Sequence, residues 1–127
     1  MLDVGLLSTR SQLMVVGRVG LGVACLAAPG VVVRLLGFPE RSSTARVLAR
    51  MLGVRDLAMG LVLVATASDP VAHRRAVRIA GLVDLGDVAA VTLGAVADPE
   101  MRGAAARNLP FAGGSALFCF LAARKQA

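Results

Sequence analysis

Apolar residues along this chain gather into four long runs, at about residues 12 to 29, 47 to 67, 76 to 96 and 101 to 123, separated by short stretches rich in Arg, Asp, Pro and Ser. Each run holds roughly 18 to 23 residues, which at a helical rise of about 1.5 Å per residue is long enough to cross a bilayer. The punctuation between them is that of helices. Pro29-Gly30 closes or kinks the first run. Asp69-Pro70 and Asp98-Pro99 each offer a capping carboxylate followed by proline at the first helical position. The third helix is therefore expected to start near Pro70, with His73, Arg74, Arg75 and Arg78 at the headgroup level and His73 solvated. Pro110 falls inside the fourth run and predicts a bend. The segment "VVVRLLGF" (31–38) is too short and too charged to span; it reads as a turn or two of helix along the interface, Arg34 toward headgroups, and "PERSSTAR" (39–46) leads into the second span. The predicted fold is all-α: a four-transmembrane-helix bundle with a short interfacial helix between spans 1 and 2, forming a single membrane domain over residues 1–127.

The apolar pattern is broken where a membrane tolerates it least. Arg18 lies in span 1, Arg55 and Asp56 lie side by side in "MLGVRDLAMG" (51–60), and "GLVDLGD" (81–87) adds Asp84 and Asp87, with Arg50 nearer the membrane edge. A charge at mid-bilayer costs at least about 2.5 to 3.5 kcal/mol, so such groups face the bundle interior and find partners. With span centres near residues 20, 57 and 86, the helical rise puts all five within about 3 Å of the midplane. At about 100° per residue, Ser11, Arg18, Gly22 and Cys25 share a face, as do Gly53, Asp56 and Gly60. So do Ala80, Asp84, Asp87, Val91 and Gly94, and Asn108, Ala112, Ser115 and Cys119, while Leu82, Leu85, Leu93 and Val96 lie opposite on span 3. Each helix thus carries a stripe of small or polar residues and a more aliphatic remainder, the pattern of a bundle packed through small residues. The stripe is imperfect: Val91 interrupts it on span 3, and Arg55 points about 100° away from Asp56. Three aspartates against two arginines leave one negative charge in excess, which Arg50 would cancel if its side chain reached inward, or which protonation of one carboxyl would remove, since Asp84 and Asp87 stand at i and i+3 where like charges disfavour double ionisation.

Composition sharpens this picture. The chain is 57% hydrophobic and 17% charged, without Trp or Tyr, and its mean hydropathy is +0.74; a soluble domain of this length lacks the polar surface to cover its core. The net charge of +6 comes from basic residues that are all arginine except Lys125. They sit in short clusters between apolar runs with no aromatic platforms for bases, so they read as insertion signals and not as a nucleic-acid surface. An Ala, Val, Gly and Arg bias is also what GC-rich coding produces, so arginine over lysine is not taken as a binding adaptation. The terminal side carries Arg10, Arg74, Arg75, Arg78, Arg124 and Lys125, the other side Arg34, Arg41, Arg46, Arg102 and Arg107, which by a narrow margin places both termini in the cytoplasm of a bacterial cytoplasmic membrane. Arg18 interrupts the first apolar run, so that run is expected to be a retained helix and not a cleaved signal. Cys25 and Cys119 lack CxxC spacing or neighbouring histidines and lie toward opposite leaflets, so they are read as packing residues. No metal site is expected, and no cofactor can be assigned. "GRVGLG" (17–22) follows no strand; its glycines permit helix contact.

The run "GRVGLGVACLAAP", then "RLLGF", "LARMLGVRDLAMG" and "GLVDLGDVAAV" resembles the small actinobacterial four-helix integral membrane proteins of unknown function, akin to the DoxX-like family. The resemblance covers roughly residues 17 to 96, is most specific in "GVRDLAMG" with "VDLGD", and leaves the fourth span generic. It implies a membrane protein without an established common activity. DoxX proper is associated with a quinone-linked oxidoreductase complex, but no thiol pair or aromatic cluster here supports that redox role. The motif positions it transfers are Arg18, Arg50, Arg55, Asp56, Asp84 and Asp87.

Three functions remain open at this point. The charges can be a polar site for an amphiphilic lipid, quinone or isoprenoid, or a proton relay assisting a membrane complex, with Arg18, Arg50, Arg55, Asp56, Asp84, Asp87 and Asn108 as the ligand-binding set. They can be a scaffold that fixes helix register, as buried ion pairs do without adding net stability. In an enzyme, Asp56, Asp84 and Asp87 would be catalytic, as acid and base on an isoprenoid-type substrate. A homo-oligomer or a membrane partner protein would be compatible with each.

Overall fold

The computed structural model describes residues 7–38 and 42–125, so the Pro39–Arg41 start of the "PERSSTAR" linker lies outside the described residues. Among them the chain is helical throughout: α1 (Thr9–Ala27), α2 (Pro29–Leu35), α3 (Ser43–Ala65), α4 (Pro70–Ala97), a single 3-10 turn (Pro99–Met101) and α5 (Arg102–Lys125).

The boundaries follow from capping chemistry. Ser8 accepts from the Ser11 amide ahead of α1, and Ser42 from the Ala45 amide ahead of α3. Asp69 accepts from the amides of Val71 and Ala72 at 2.9 and 3.0 Å, with Pro70 opening α4 as expected. Asp98 does the same for the 3-10 turn, through Glu100. The Pro29-Gly30 pair breaks the first run at Ala28 and makes Pro29 the first residue of α2. Gly37 then ends α2 at φ 77°. Its amide and that of Phe38 donate back to the carbonyls of Arg34 and Val33, the double closure that needs a left-handed residue. The Arg107 side chain lies over this glycine, where an added Cβ would sit 2.9 Å from its Cδ. Pro110 stands inside α5 without ending it.

The helices assemble as two antiparallel pairs, α1 on α3 and α4 on α5, with α2 lying on α3. Within the first pair the backbones nearly touch. A Cβ on Gly22 would stand 2.9 Å from the Gly53 carbonyl oxygen, and one on Gly53 2.8 Å from that of Gly22. The second pair closes where Gly81 meets Cys119 and Phe120. Small residues thus set the approach within each pair, as the stripes predict. The pairs meet in a common core of Met14 and Val15 from α1, Leu63 from α3, Val77 and Ala80 from α4, and Cys119 and Ala122 from α5. Leu7, Leu63, Ala76 and Ala123 share that cluster, so the start of the chain, the α3–α4 turn and the end of α5 lie at one end of the molecule. The opposite faces of the long helices stay exposed, including Leu82, Leu85, Leu93 and Val96 on α4.

The four expected spans correspond to four helices, but two of them, α1 and α4, are long and apolar enough by length and composition to cross a membrane among the described residues. The reason is compositional. Arg46, Arg50, Arg55 and Asp56 all fall within α3, and α5 carries Arg102, Arg107 and Asn108 with several glycines.

Candidate functional site

The faces that the 3.6-residue period groups together are buried on α1 (Ser11, Arg18, Gly22, Cys25) and α3 (Gly53, Asp56, Gly60), while on α4 Ala80 and Asp84 are buried and Asp87, Val91 and Gly94 half-buried, and on α5 Asn108 and Cys119 are buried and Ala112 and Ser115 half-buried. Arg18 reaches across the junction between the helix pairs. Its Nη1 donates to Asp56 Oδ1 of α3 at 3.0 Å, and its Nη2 to Asp84 Oδ2 of α4 at 2.8 Å and to the Ala80 carbonyl at 3.2 Å. All three side chains are buried, so the desolvation of each charge is offset by an opposite charge. Arg55 forms a second strut between the pairs. It holds both oxygens of Asp87, at 2.6 and 2.9 Å, and also reaches Asp56 Oδ1 at 3.4 Å. Its long stem bridges the angular offset from Asp56, and the Arg55–Asp87 pair is about one-third exposed.

Arg18, Arg55, Asp56, Asp84 and Asp87 therefore form one network on α1, α3 and α4. Arg50 does not join it. It is exposed beside Arg34 and Arg46 at the start of α3, so the expected neutralisation does not occur and the network keeps two arginines against three aspartates. Asn108 belongs to another level: its Nδ2 donates to the Leu36 and Ala104 carbonyls at 2.8 and 2.7 Å, tying the end of α2 to α5. Two partners absent from the sequence-derived site come from α5. Ser115 Oγ donates to Asp84 Oδ2 at 2.6 Å, and the Cys119 thiol lies 3.9 Å from the same oxygen. Both stood in the small-residue stripe of that helix, and the stripe was the signal. Cys25 and Cys119 are both free and buried.

His73 corrects the expectation of a solvated turn residue. It is 5% exposed; Nδ1 lies 3.1 Å from the Leu63 carbonyl and Nε2 2.9 Å from Ser11 Oγ. A ring donating from Nδ1 accepts the Ser11 hydroxyl at Nε2. Because α4 begins at Pro70, position 73 is already helical, and it faces inward with Val77, Ala80 and Asp84. Histidine here ties α1, α3 and α4 together.

Above the charge network opens a cavity of about 590 Å³, lined on its polar side by Arg18, Arg55, Asp56, Asp84, Asp87, Asn108 and Ser115 and elsewhere by apolar side chains such as Leu21, Leu52, Phe111 and Phe118. Most of the arginine donors are spent on carboxylates. The Arg55 Nε–H is buried with no partner among the described residues. Among the described residues no donor reaches Asp56 Oδ2 or Asp84 Oδ1. The site thus offers two unused acceptors, one unused donor and an excess of negative charge. No group of three or more His, Cys, Asp or Glu side chains placed to hold a metal occurs among the described residues.

Residues 15–124 match a family described as a domain of unknown function (DUF4267). The match begins at α1 and runs nearly to the end of α5, so it includes the fourth long helix that the motif resemblance left out. No curated protein and no solved structure matches the chain.

Proposed function

The chain belongs to the DUF4267 family of unknown function, and on that premise we propose that it is a small integral membrane protein whose cavity binds the polar head of an amphiphile, a lipid, isoprenoid or quinone. Support for the membrane begins with the exposed faces. Only 17% of the most apolar stretch of α4 is buried by the rest of the protein, whereas the core helix of a soluble protein is mostly covered. Val16, Val54, Leu61, Leu93 and Leu117 repeat that exposure on all four long helices, and apolar surface on every outward side suits lipid as the solvent. The charges that lower the hydropathy of α3 include Arg55 and Asp56, which turn inward to partners on α1 and α4. In this reading α3 and α5 cross with α1 and α4, four spans in the bacterial cytoplasmic membrane with both termini inside, akin to the DoxX-like proteins of actinobacteria.

The cavity carries the binding reading. Its volume lies in the range of about 300 to 1,000 Å³ typical of ligand pockets, with apolar walls and a few convergent polar groups. The unused atoms define the head it suits. A hydroxyl or amine would donate to the free oxygens of Asp56 and Asp84 and offset the excess negative charge, and a carbonyl would accept from Arg55 Nε. An anionic head is disfavoured, since the guanidinium groups are already neutralised by carboxylates.

A second reading is favoured by the ion pairs themselves: Arg18 and Arg55 brace two helix pairs, and that bracing needs no ligand. One substitution separates the two. Gly114 lines the cavity and has nothing within 4 Å of the position its Cβ would take, so Gly114→Leu fills the space and leaves the ion pairs untouched. Native mass spectrometry of the full chain, purified in mild detergent from a membrane extract, is expected to show a bound amphiphile that Gly114→Leu loses at unchanged helix content. If nothing co-purifies, or if Gly114→Leu keeps the ligand undiminished, the cavity is not a binding site and the structural role stands.

A further inference from the structure

The arginines of this protein fall into two kinds. Arg18 and Arg55 are held by carboxylates, whereas Arg34 of α2 and Arg46 and Arg50 of α3 form no ion pair or hydrogen bond among the described residues. These three border one groove of about 440 Å³ between α2 and the first turns of α3, floored by Pro29 and Gly30. The grouping is imposed by the fold. Arg46 and Arg50 are four apart and share a face of α3. The Arg46 stem lies across α2 at Gly30, whose Cβ position is 3.9 Å from its Cδ, and Arg34 stands one turn further along α2. Like charges at such spacing repel, and no carboxylate among the described residues offsets them. Arginines bordering one concavity offer it planar forks of N–H donors, a geometry that matches phosphate oxygens. Beside the groove the same two helices expose Val31, Leu35, Val47 and Met51, an apolar rim along which an acyl chain can lie.

We infer that the groove formed by Arg34, Arg46 and Arg50 is a binding site for a phosphate group, carried by an anionic phospholipid headgroup or by a free phosphate compound. It is a separate site from the Arg/Asp cavity and takes the opposite charge.

The test is a native mass-spectrometric titration of the full chain in mild detergent with phosphatidylglycerol and, separately, phosphatidylcholine. Phosphatidylglycerol is expected to bind roughly a hundredfold more tightly, about fivefold for each of the three arginines. With each interfacial arginine contributing about fivefold in affinity, the Arg46→Gln/Arg50→Gln protein should lose roughly 25-fold for phosphatidylglycerol and little for phosphatidylcholine, and adding Arg34→Gln should remove the preference. Arg74→Gln/Arg75→Gln, at the other end of the molecule, should stay within about twofold. Inorganic pyrophosphate distinguishes the sources: binding without lipid and displacement of phosphatidylglycerol, both lost in the same variants, assign the site to a free phosphate compound, and no displacement assigns it to the lipid headgroup. Failure of both phosphatidylglycerol and pyrophosphate to bind, or unchanged binding in the triple variant, overturns the inference. All three arginines are exposed, and circular dichroism verifies that the variants fold. Since Gly114→Leu leaves this groove untouched, the two binding readings fail independently.

Discussion

The guanidinium of Arg18 is shared between carboxylates from two other helices, so deleting it leaves Asp84 without a cation among the described residues and Asp56 with only the longer 3.4 Å contact from Arg55. Breaking a buried pair by removing one partner costs about 3 to 5 kcal/mol, and Arg18→Gln is expected to lose an amount of that order in reversible unfolding in detergent. Arg55→Gln should cost clearly less, because the Arg55–Asp87 pair is about one-third exposed and solvent can replace the lost partner. Equal losses, or the reverse order, would show that burial does not set the worth of these pairs. The common level of the five charges was legible from helix rise, and the inward faces from the 3.6-residue period. Which groups would bond was not, because arginine stems are long enough to override direction: Arg55 swings back to Asp87, while Arg50 stays outside. His73 was open to the same method, since 73, 80 and 87 are spaced by seven on the Asp84 stripe, but its neighbouring arginines marked it as solvated.

Helix ends were the most readable part of the chain, because capping is written in local chemistry. Asp69-Pro70 fixes α4 at its predicted start, and Pro29 opens α2 and does not prolong α1. Less visible was which glycines mark contacts. Gly53 sits against the Gly22 carbonyl, whereas Gly86 has nothing within 4 Å of its Cβ position. Gly53→Ala should therefore push α1 from α3 and destabilise by about 1 to 3 kcal/mol, and Gly86→Ala should be neutral or slightly stabilising. Thermal unfolding of the two variants side by side checks this, and a harmless Gly53→Ala would refute the close packing of the pair. The period already puts Gly53 on the Asp56 face and leaves Gly86 off the Asp84 face, but the neighbour that makes Gly53 indispensable comes from another helix and is not in the sequence pattern.

The molecule has distinct ends, and that gives the membrane reading a direct check. Leu7 packs with residues of the α3–α4 turn and of the end of α5, whereas Asn108 and Arg107 hold the end of α2 at the opposite end. Single-cysteine probes at Ser8, Ser68 and Arg124, in a background without Cys25 and Cys119, are expected to resist an impermeant thiol reagent in intact cells, and a probe at Glu100 to react. Labelling of Ser8 and Arg124 from opposite sides would exclude four crossings. The bundle plan could be read from the spacing of the apolar runs, but the pairing of α1 with α3 and of α4 with α5 depends on which small residues face one another, which a hydropathy pattern does not encode. That pairing also bears on biogenesis. The earlier hairpin brings Arg18, Arg55 and Asp56, a surplus of one positive charge, and already neutralises part of it through the Arg18–Asp56 contact. The later one brings Asp84 and Asp87 with no cation at their level. At the level of the network the two hairpins therefore carry opposite charge, and that attraction favours their docking once both are made.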